Sequence, residues 1–287
     1  MGAIFRHELR NYFHSLTAYV FGAFLLAVVG LGSVLYNLQA AVSNFEFVLS
    51  FASIIFVVIV PILTMRTLAE ERRQRTDQLL YSLPITTTQV VLGKYLALLV
   101  VYLIPLAVIS LYPLLFSQFG DVYLPTSYGS LFAFFMMGAA LLAVGMFLSS
   151  LTDNQGFAAG IGIAAILLNY YSVSLAEYTS STAMGSLIAL YVIALLLGVV
   201  IRGLTRNENL AYGVTFALIA ALSVAYFVNS TAFEGLLPDI MTKLSLFRQF
   251  KSFVNGAFDL TAIVYYVSVM GFFLFLSVQS MEKRRYN

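Results

Sequence analysis

Few side chains in this 287-residue sequence are of a type that does covalent chemistry. There is no Cys, which removes thiolate metal sites, disulfides and cysteine nucleophiles. His7 and His14 are the only imidazoles, and nothing resembling a zinc motif surrounds them. Gly93-Lys94 is the one Gly-Lys pair, the kind a phosphate-cradling loop carries. Tyr95 follows it and the upstream Gly is missing, so the sequence encodes no P-loop. Neither His-Glu-x-x-His nor Gly-x-Ser-x-Gly occurs, which argues against a membrane protease. What remains is a non-covalent constellation, Glu70-Glu71-Arg72-Arg73-Gln74-Arg75-Thr76-Asp77-Gln78 followed by the apolar patch Leu79-Leu80-Tyr81-Ser82-Leu83 and Pro84. A charged helix with an exposed apolar end fits docking onto a soluble partner. The same leucines also fit a place against lipid headgroups.

The elements around this run are long apolar stretches. Hydrophobic residues make up 61% of the chain and charged ones 10%, against about 25% in soluble domains. Crossing about 30 Å of hydrocarbon takes roughly 20 helical residues. Eight stretches meet that length, at 17–37, 46–65, 95–116, 127–150, 156–176, 184–201, 210–229 and 261–281, so the expected fold is all-α and polytopic. The gap 177–183 is the weakest division, and a re-entrant hairpin there would replace two crossings. The first stretch is too long for a signal-peptide core and reads as a retained span. With no Trp in the chain, its 18 Tyr take the interfacial role. Pro61, Pro105 and Pro113 fall within spans and predict kinks.

Basic residues set the orientation, because Lys and Arg favour short cytoplasmic loops. With the N-terminus inside, the outer segments hold only Lys243, Arg248 and Lys251 of the 15 Lys and Arg. Both termini and the segment 66–94 are therefore expected in the cytoplasm. Within 66–94 a helix should end near Leu83, since Pro84 disfavours helix in the residue before it. Thr86, Thr87 and Thr88 then offer N-caps for the third span. In residues 1–16, Phe5, Leu9, Phe13 and Leu16 recur at helical spacing, with Arg6, Arg10 and His14 elsewhere on the circumference. That pattern suits a helix lying in the inner interface, or a plain basic flank to the first span. In the outer segment 230–260, Leu237, Ile240, Met241, Leu244, Phe247 and Phe250 approximate one helical stripe. A lid over a pathway and a helix resting on headgroups both fit it.

No Asp, Glu, His or Lys is expected at membrane depth, so an ion-coupled carrier would lack its usual coupling group. A sodium site built from carbonyls and hydroxyls would escape this test; without one, energy for transport arrives through a partner. Asn169, Tyr170 and Tyr171 cluster toward the outer end of the fifth span and are candidates for a substrate path, with interfacial anchoring as the plainer role. Gly156, Gly160 and Ala164 form a small-residue stripe that permits close helix approach.

The run Pro61 to Pro84 closely resembles the segment after the second span in type-2 ABC transporter permeases. It is nearest to the gliding-motility-type branch, which also resembles the permease of nitrous-oxide-reductase maturation. The opening His7-Glu8-Leu9-Arg10-Asn11-Tyr12-Phe13, the loop Ser149-Ser150-Leu151-Thr152-Asp153-Asn154-Gln155, and the spaced Phe247, Phe250, Phe253, Gly256 and Asp259 fit the same branch. The resemblance covers about 1–176 and 240–285. It implies a permease subunit without an ATPase site of its own, paired with a second permease and with two cytoplasmic ATPase subunits that hold ATP and Mg. Residues 1–16 become an elbow helix and 66–94 a coupling segment seated in the ATPase. Glu70, Glu71, Arg72, Arg73, Thr76, Leu79, Leu80 and Pro84 become the main ATPase contacts, and Thr152, Asp153, Asn154 and Gln155 a smaller second one. Arg75 stands where a small residue is common and Gln78 where an acid is common. The family core has six spans, and 184–229 adds two. The function so implied is an ATP-driven exporter in a bacterial cell membrane. A non-transporting anchor on the same fold and an ion-coupled carrier are the alternatives.

Overall fold

Inside a bilayer the backbone has no water to bond, so each apolar run must satisfy its N–H and C=O groups within a helix. The computed structural model describes residues 2–74, 85–205 and 208–285, and no strand occurs among them. Helix α1 (Gly2–His14) precedes α2 (Leu16–Ser33), which ends in a π-helical turn, Val34–Gln39. The second run is α3 (Phe45–Ala52), a 3-10 turn and α4 (Phe56–Thr64), and leads through a turn into the short α5 (Ala69–Gln74). The third run divides into α6 (Thr87–Ile109) and α7 (Leu111–Phe116). The break follows Ile109, the residue whose carbonyl Pro113 has no N–H to bond. Then come α8 (Leu124–Ser149), α9 (Gln155–Tyr178), α10 (Ala183–Thr205), α11 (Glu208–Val228), α12 (Leu236–Lys243), α13 (Leu246–Val254) and α14 (Leu260–Arg285). Among the described residues, seven helical segments are long and apolar enough to cross a membrane, and Ala183–Val199 is a shorter apolar one. The chain is an all-α polytopic membrane protein.

Helix starts follow local chemistry. Thr86 caps α6, its side chain accepting from the Gln89 N–H at 3.3 Å, within the predicted threonine cluster. Asn154 caps α9, its Oδ1 accepting from Gly156 N–H at 2.9 Å and Phe157 N–H at 3.3 Å.

The chain forms two units, Met1–Tyr170 with Leu246–Asn287, and Tyr171–Ser245. The first has the large core. Its centre is the second and fourth spans, 61% and 72% buried, while the first span is 33% buried. Small residues on α8 let neighbours approach: a side chain at Gly138 would strike the Tyr102 ring, and one at Gly145 would strike Thr64. Tyr102 Oη donates to Phe134 O at 2.8 Å and Tyr95 Oη to Ala139 O at 2.9 Å, so both buried phenols are satisfied on α8. On α9 the close approach is at Gly162, against Pro61, while Gly160 has open space around it. The rotation of α9 thus turns the predicted Gly156, Gly160 and Ala164 stripe outward, all three being exposed.

The predicted single stripe of the outer segment is two helices with a break at Leu244–Ser245. Phe247, Phe250 and Phe253 on α13 are buried in the first unit, where the Phe250 ring lies edge-on to Phe134 at 5.8 Å. In the second unit α10 and α11 run antiparallel, with Tyr191 Oη and Ser223 Oγ 2.7 Å apart and Gly198 against Thr215. Arg202 pairs with Glu208 where the two helices adjoin. The Gly235 N–H donates to Ser181 O at 2.8 Å and ties the start of α12 to the same unit.

Candidate coupling site

The end of the first unit that carries α1 also carries α5, and the two meet through a lysine on α6. Two helical turns inside this apolar helix, Lys94 is 2% exposed. An ammonium there requires opposite charge, because desolvating it uncompensated would cost several kcal/mol. Its Nζ donates to Glu8 Oε1 on α1 at 2.8 Å and lies 2.7 Å from Glu71 Oε1 on α5. One cation therefore joins three elements that are remote in sequence.

The start of α5 is held by a second device. A helix leaves its first N–H groups without internal partners. At α5 the Ser149 hydroxyl, at the end of α8, accepts from Leu68 N–H at 3.3 Å and Ala69 N–H at 3.2 Å. The same hydroxyl donates to Met65 O at 3.2 Å, which stitches both sides of the turn between α4 and α5. Thr67 Oγ1 donates to Thr64 O at 2.6 Å and tightens that turn. Glu70 and Glu71 in the first turn and Arg72 and Arg73 in the last match the helix dipole.

A third tie runs to the last span. Arg72 is buried, and its Nη2 donates to Ser280 Oγ on α14 at 3.3 Å. Ser280 Oγ in turn donates to Ser150 O at 3.1 Å. Beside the cluster Tyr12 is buried, and its phenol is pushed well above the usual range. Burial is the main cause, the carboxylates of Glu8, Glu70 and Glu71 add to it, and Arg66 opposes. Tyr12 is thus held neutral and adds no negative charge to an already acidic corner.

The predicted contact residues divide accordingly. Glu71 and Arg72 point into the bundle, Glu70 is half-buried, and Arg73 is exposed. Thr76, Leu79, Leu80 and Pro84 lie outside the described residues, as do Arg75 and Gln78. In the loop after α8, Thr152 Oγ1 accepts from the Asn154 N–H at 3.2 Å, Asn154 is the helix cap, Asp153 is exposed, and Gln155 opens α9. The three path candidates also separate. Asn169 Oδ1 accepts from the Leu246 N–H at 3.0 Å, at the start of α13, and the Tyr170 ring lies edge-on to Phe247 at 4.9 Å. Tyr171 keeps 46% of its surface exposed.

Sequence reasoning missed Glu8, Lys94, Ser149, Ser150 and Ser280 as members of one cluster. Two charged residues at the edges of the expected apolar stretches are also buried. Lys94 lies within the segment Thr87–Phe116 and Glu46 within Phe45–Arg73, both buried. The helix α6 begins two turns before its fully apolar stretch, so Lys94 at the edge of that stretch ends up inside the bundle. A lone lysine two turns into an apolar helix was the available signal, since it demands a carboxylate from elsewhere.

Residues 30–176 match the family described as ABC-2 family transporter protein. No curated protein and no solved structure matches the chain. The matched region starts within α2 and ends within α9, so it holds α3 to α8, the turn at Met65–Leu68, and Lys94 with its partner Glu71. The chain belongs to the ABC-2 family of transporter proteins and is a membrane permease component of an ABC transporter, a family that works with separate ABC ATPase subunits.

Proposed function

We propose that this permease is half of the pathway of an ATP-driven exporter in a bacterial cell membrane, energised by two cytoplasmic ATPase subunits that press on the segment after the second span. A second permease copy or a homologue completes the pathway. The branch is the gliding-motility type, on the residues that carry the resemblance. In this reading the coupling set has two parts. Arg73, with Thr76, Leu79, Leu80 and Pro84 further along the sequence, meets the ATPase, and the Thr152–Gln155 loop makes a smaller second contact. Glu71 and Arg72 face the other way and pass its motion to α1, α6 and α14. Tyr171, still exposed, is the retained candidate for contact with cargo.

The observation that carries this reading is the three-way pairing of Lys94 with Glu8 and Glu71. A push on α5 cannot move Glu71 without pulling Lys94 on α6 and Glu8 on α1, because separating a buried ion pair leaves uncompensated charge. The chain has no Cys, so single introduced thiols serve as clean reporters. Arg73→Cys should be labelled only from the cytoplasmic side, and bound ATPase should protect it. A thiol at Tyr171 should change its labelling rate when nucleotide is added to the complex. Lys94→Met should abolish that change while the ATPase stays bound. Labelling of Arg73→Cys from the outside, or nucleotide-driven changes that survive Lys94→Met, would defeat the assignment.

A further inference from the structure

A groove of about 450 Å³ runs between α2 and α4 in the first unit, and it is chemically lopsided. Val20 and Phe24 on one wall and Val58 and Ile62 on the other are apolar, and each presents between 38% and 54% of its surface. The polar residues among its lining are Thr17, at the start of α2, and Arg66, just past the end of α4. Arg66 is exposed and makes no ion pair with any described residue. From Thr17 to Phe24 the groove extends about 10 Å along the helix, most of the depth of one leaflet of about 15 Å.

An occupant must therefore be apolar for most of its length, anionic at one end, and aligned along the membrane normal with that end at the interface. We infer that this groove is a binding site for an anionic glycerophospholipid of the leaflet on the Arg66 side. An acyl chain lies between Phe24 and Val58, and the phosphate sits on Arg66 with Thr17 as a second donor. The site requires only that the chain spans a bilayer, and so it stands apart from the coupling assignment. Arginine suits the task because its planar fork matches phosphate oxygens in pairs. A protein surface seated here would instead have to bring a carboxylate to the Arg66 depth together with an unbroken apolar ridge.

The absence of Trp supplies the probe. Phe24→Trp places a single indole in the groove, and Phe272→Trp places one on the exposed face of α14 as a bulk-lipid reference. The full-length chain is reconstituted in vesicles of phosphatidylcholine and phosphatidylglycerol, with one or the other brominated on its acyl chains, and quenching is read as relative lipid affinity. The groove indole should prefer the anionic lipid about fivefold, the effect expected of one Arg near a membrane surface, while the α14 indole shows no preference. Arg66→Gln should erase the preference in the groove, and Arg66→Lys should keep most of it. Quenching of the α14 indole that is unchanged in all variants verifies that each is folded and inserted. The inference is overturned if both reporters show the same preference or if the preference survives Arg66→Gln. It is equally overturned if neither brominated lipid quenches the groove indole, since the groove is then covered by protein.

Discussion

Lys94 and Glu46 are both charged side chains buried in the first unit, one at each end of it, and the unit holds them by different means. Lys94 has two carboxylates from two other helices within 2.8 Å. Glu46 has neutral donors: Asn44 Nδ2 at 2.9 Å to one oxygen and Ser127 Oγ at 3.3 Å to the other. It also lies in the first turn of α3, where the helix dipole favours negative charge. Most of what holds Glu46 is thus local, with Ser127 its one distant hydrogen bond. What holds Lys94 is entirely remote, from α1 and α5. The contrast teaches that burial of a charge alone does not mark a transmission point. At Lys94 the compensation is divided between two other helices, and that division is what the proposed coupling role rests on.

The largest expected effect is at Lys94. Lys94→Met leaves Glu8 and Glu71 facing each other without a cation and should cost about 3–5 kcal/mol of stability, read as unfolding in mixed micelles. Replacing Lys94, Glu8 and Glu71 together by Leu should restore stability to within about 1 kcal/mol of the parent, because an apolar triad carries no desolvation penalty. Nucleotide-driven motion of the spans should stay lost in that triple variant. If it returned along with stability, the pairing would be scaffolding and not linkage.

Ser149→Ala comes next. It strands two N–H groups at the start of α5 and should cost about 2 kcal/mol, with faster hydrogen exchange confined to Leu68 and Ala69. Glu46→Gln keeps an acceptor for Asn44 or Ser127 and should cost about 1 kcal/mol or less. A loss as large as that of Lys94→Met would dissolve the contrast between the two ends. Arg73→Glu, on the exposed side of α5, should leave the unfolding midpoint where it is and weaken ATPase association in pull-down. An unchanged pull-down would move the docking surface off α5.

Much of the fold was readable along the chain. The spans came from the match between apolar length and hydrocarbon thickness, a property of each segment alone, and most of their ends agree with the helices to within a few residues, while α6 starts eight residues before its expected span. The α6 start was equally local, since a threonine just before a helix bonds an N–H three residues on. Rotations about the helix axes were not readable. Gly160 and Gly162 are both small residues on α9, and only the packing of α4 shows that Gly162 meets Pro61 while Gly160 faces outward. The break at Leu244–Ser245 was hidden for a similar reason: a periodic stripe persists through a turn when both flanking helices keep apolar faces.

The candidate site divides along the same line. Its charged run was visible as composition, a polar block between two apolar ones, and that is why a partner-docking segment was expected there. Which of its residues are exposed and which face the bundle depended on groups far along the chain. Ser149 stands 80 residues from Ala69 and Ser280 stands 208 from Arg72, while Lys94 reaches Glu71 from another helix. Local hydrogen bonds and hydropathy act over one helical turn or one span, so a linear reading captures them. Charge compensation and non-local capping act through space, so they come into being only when the helices are packed side by side.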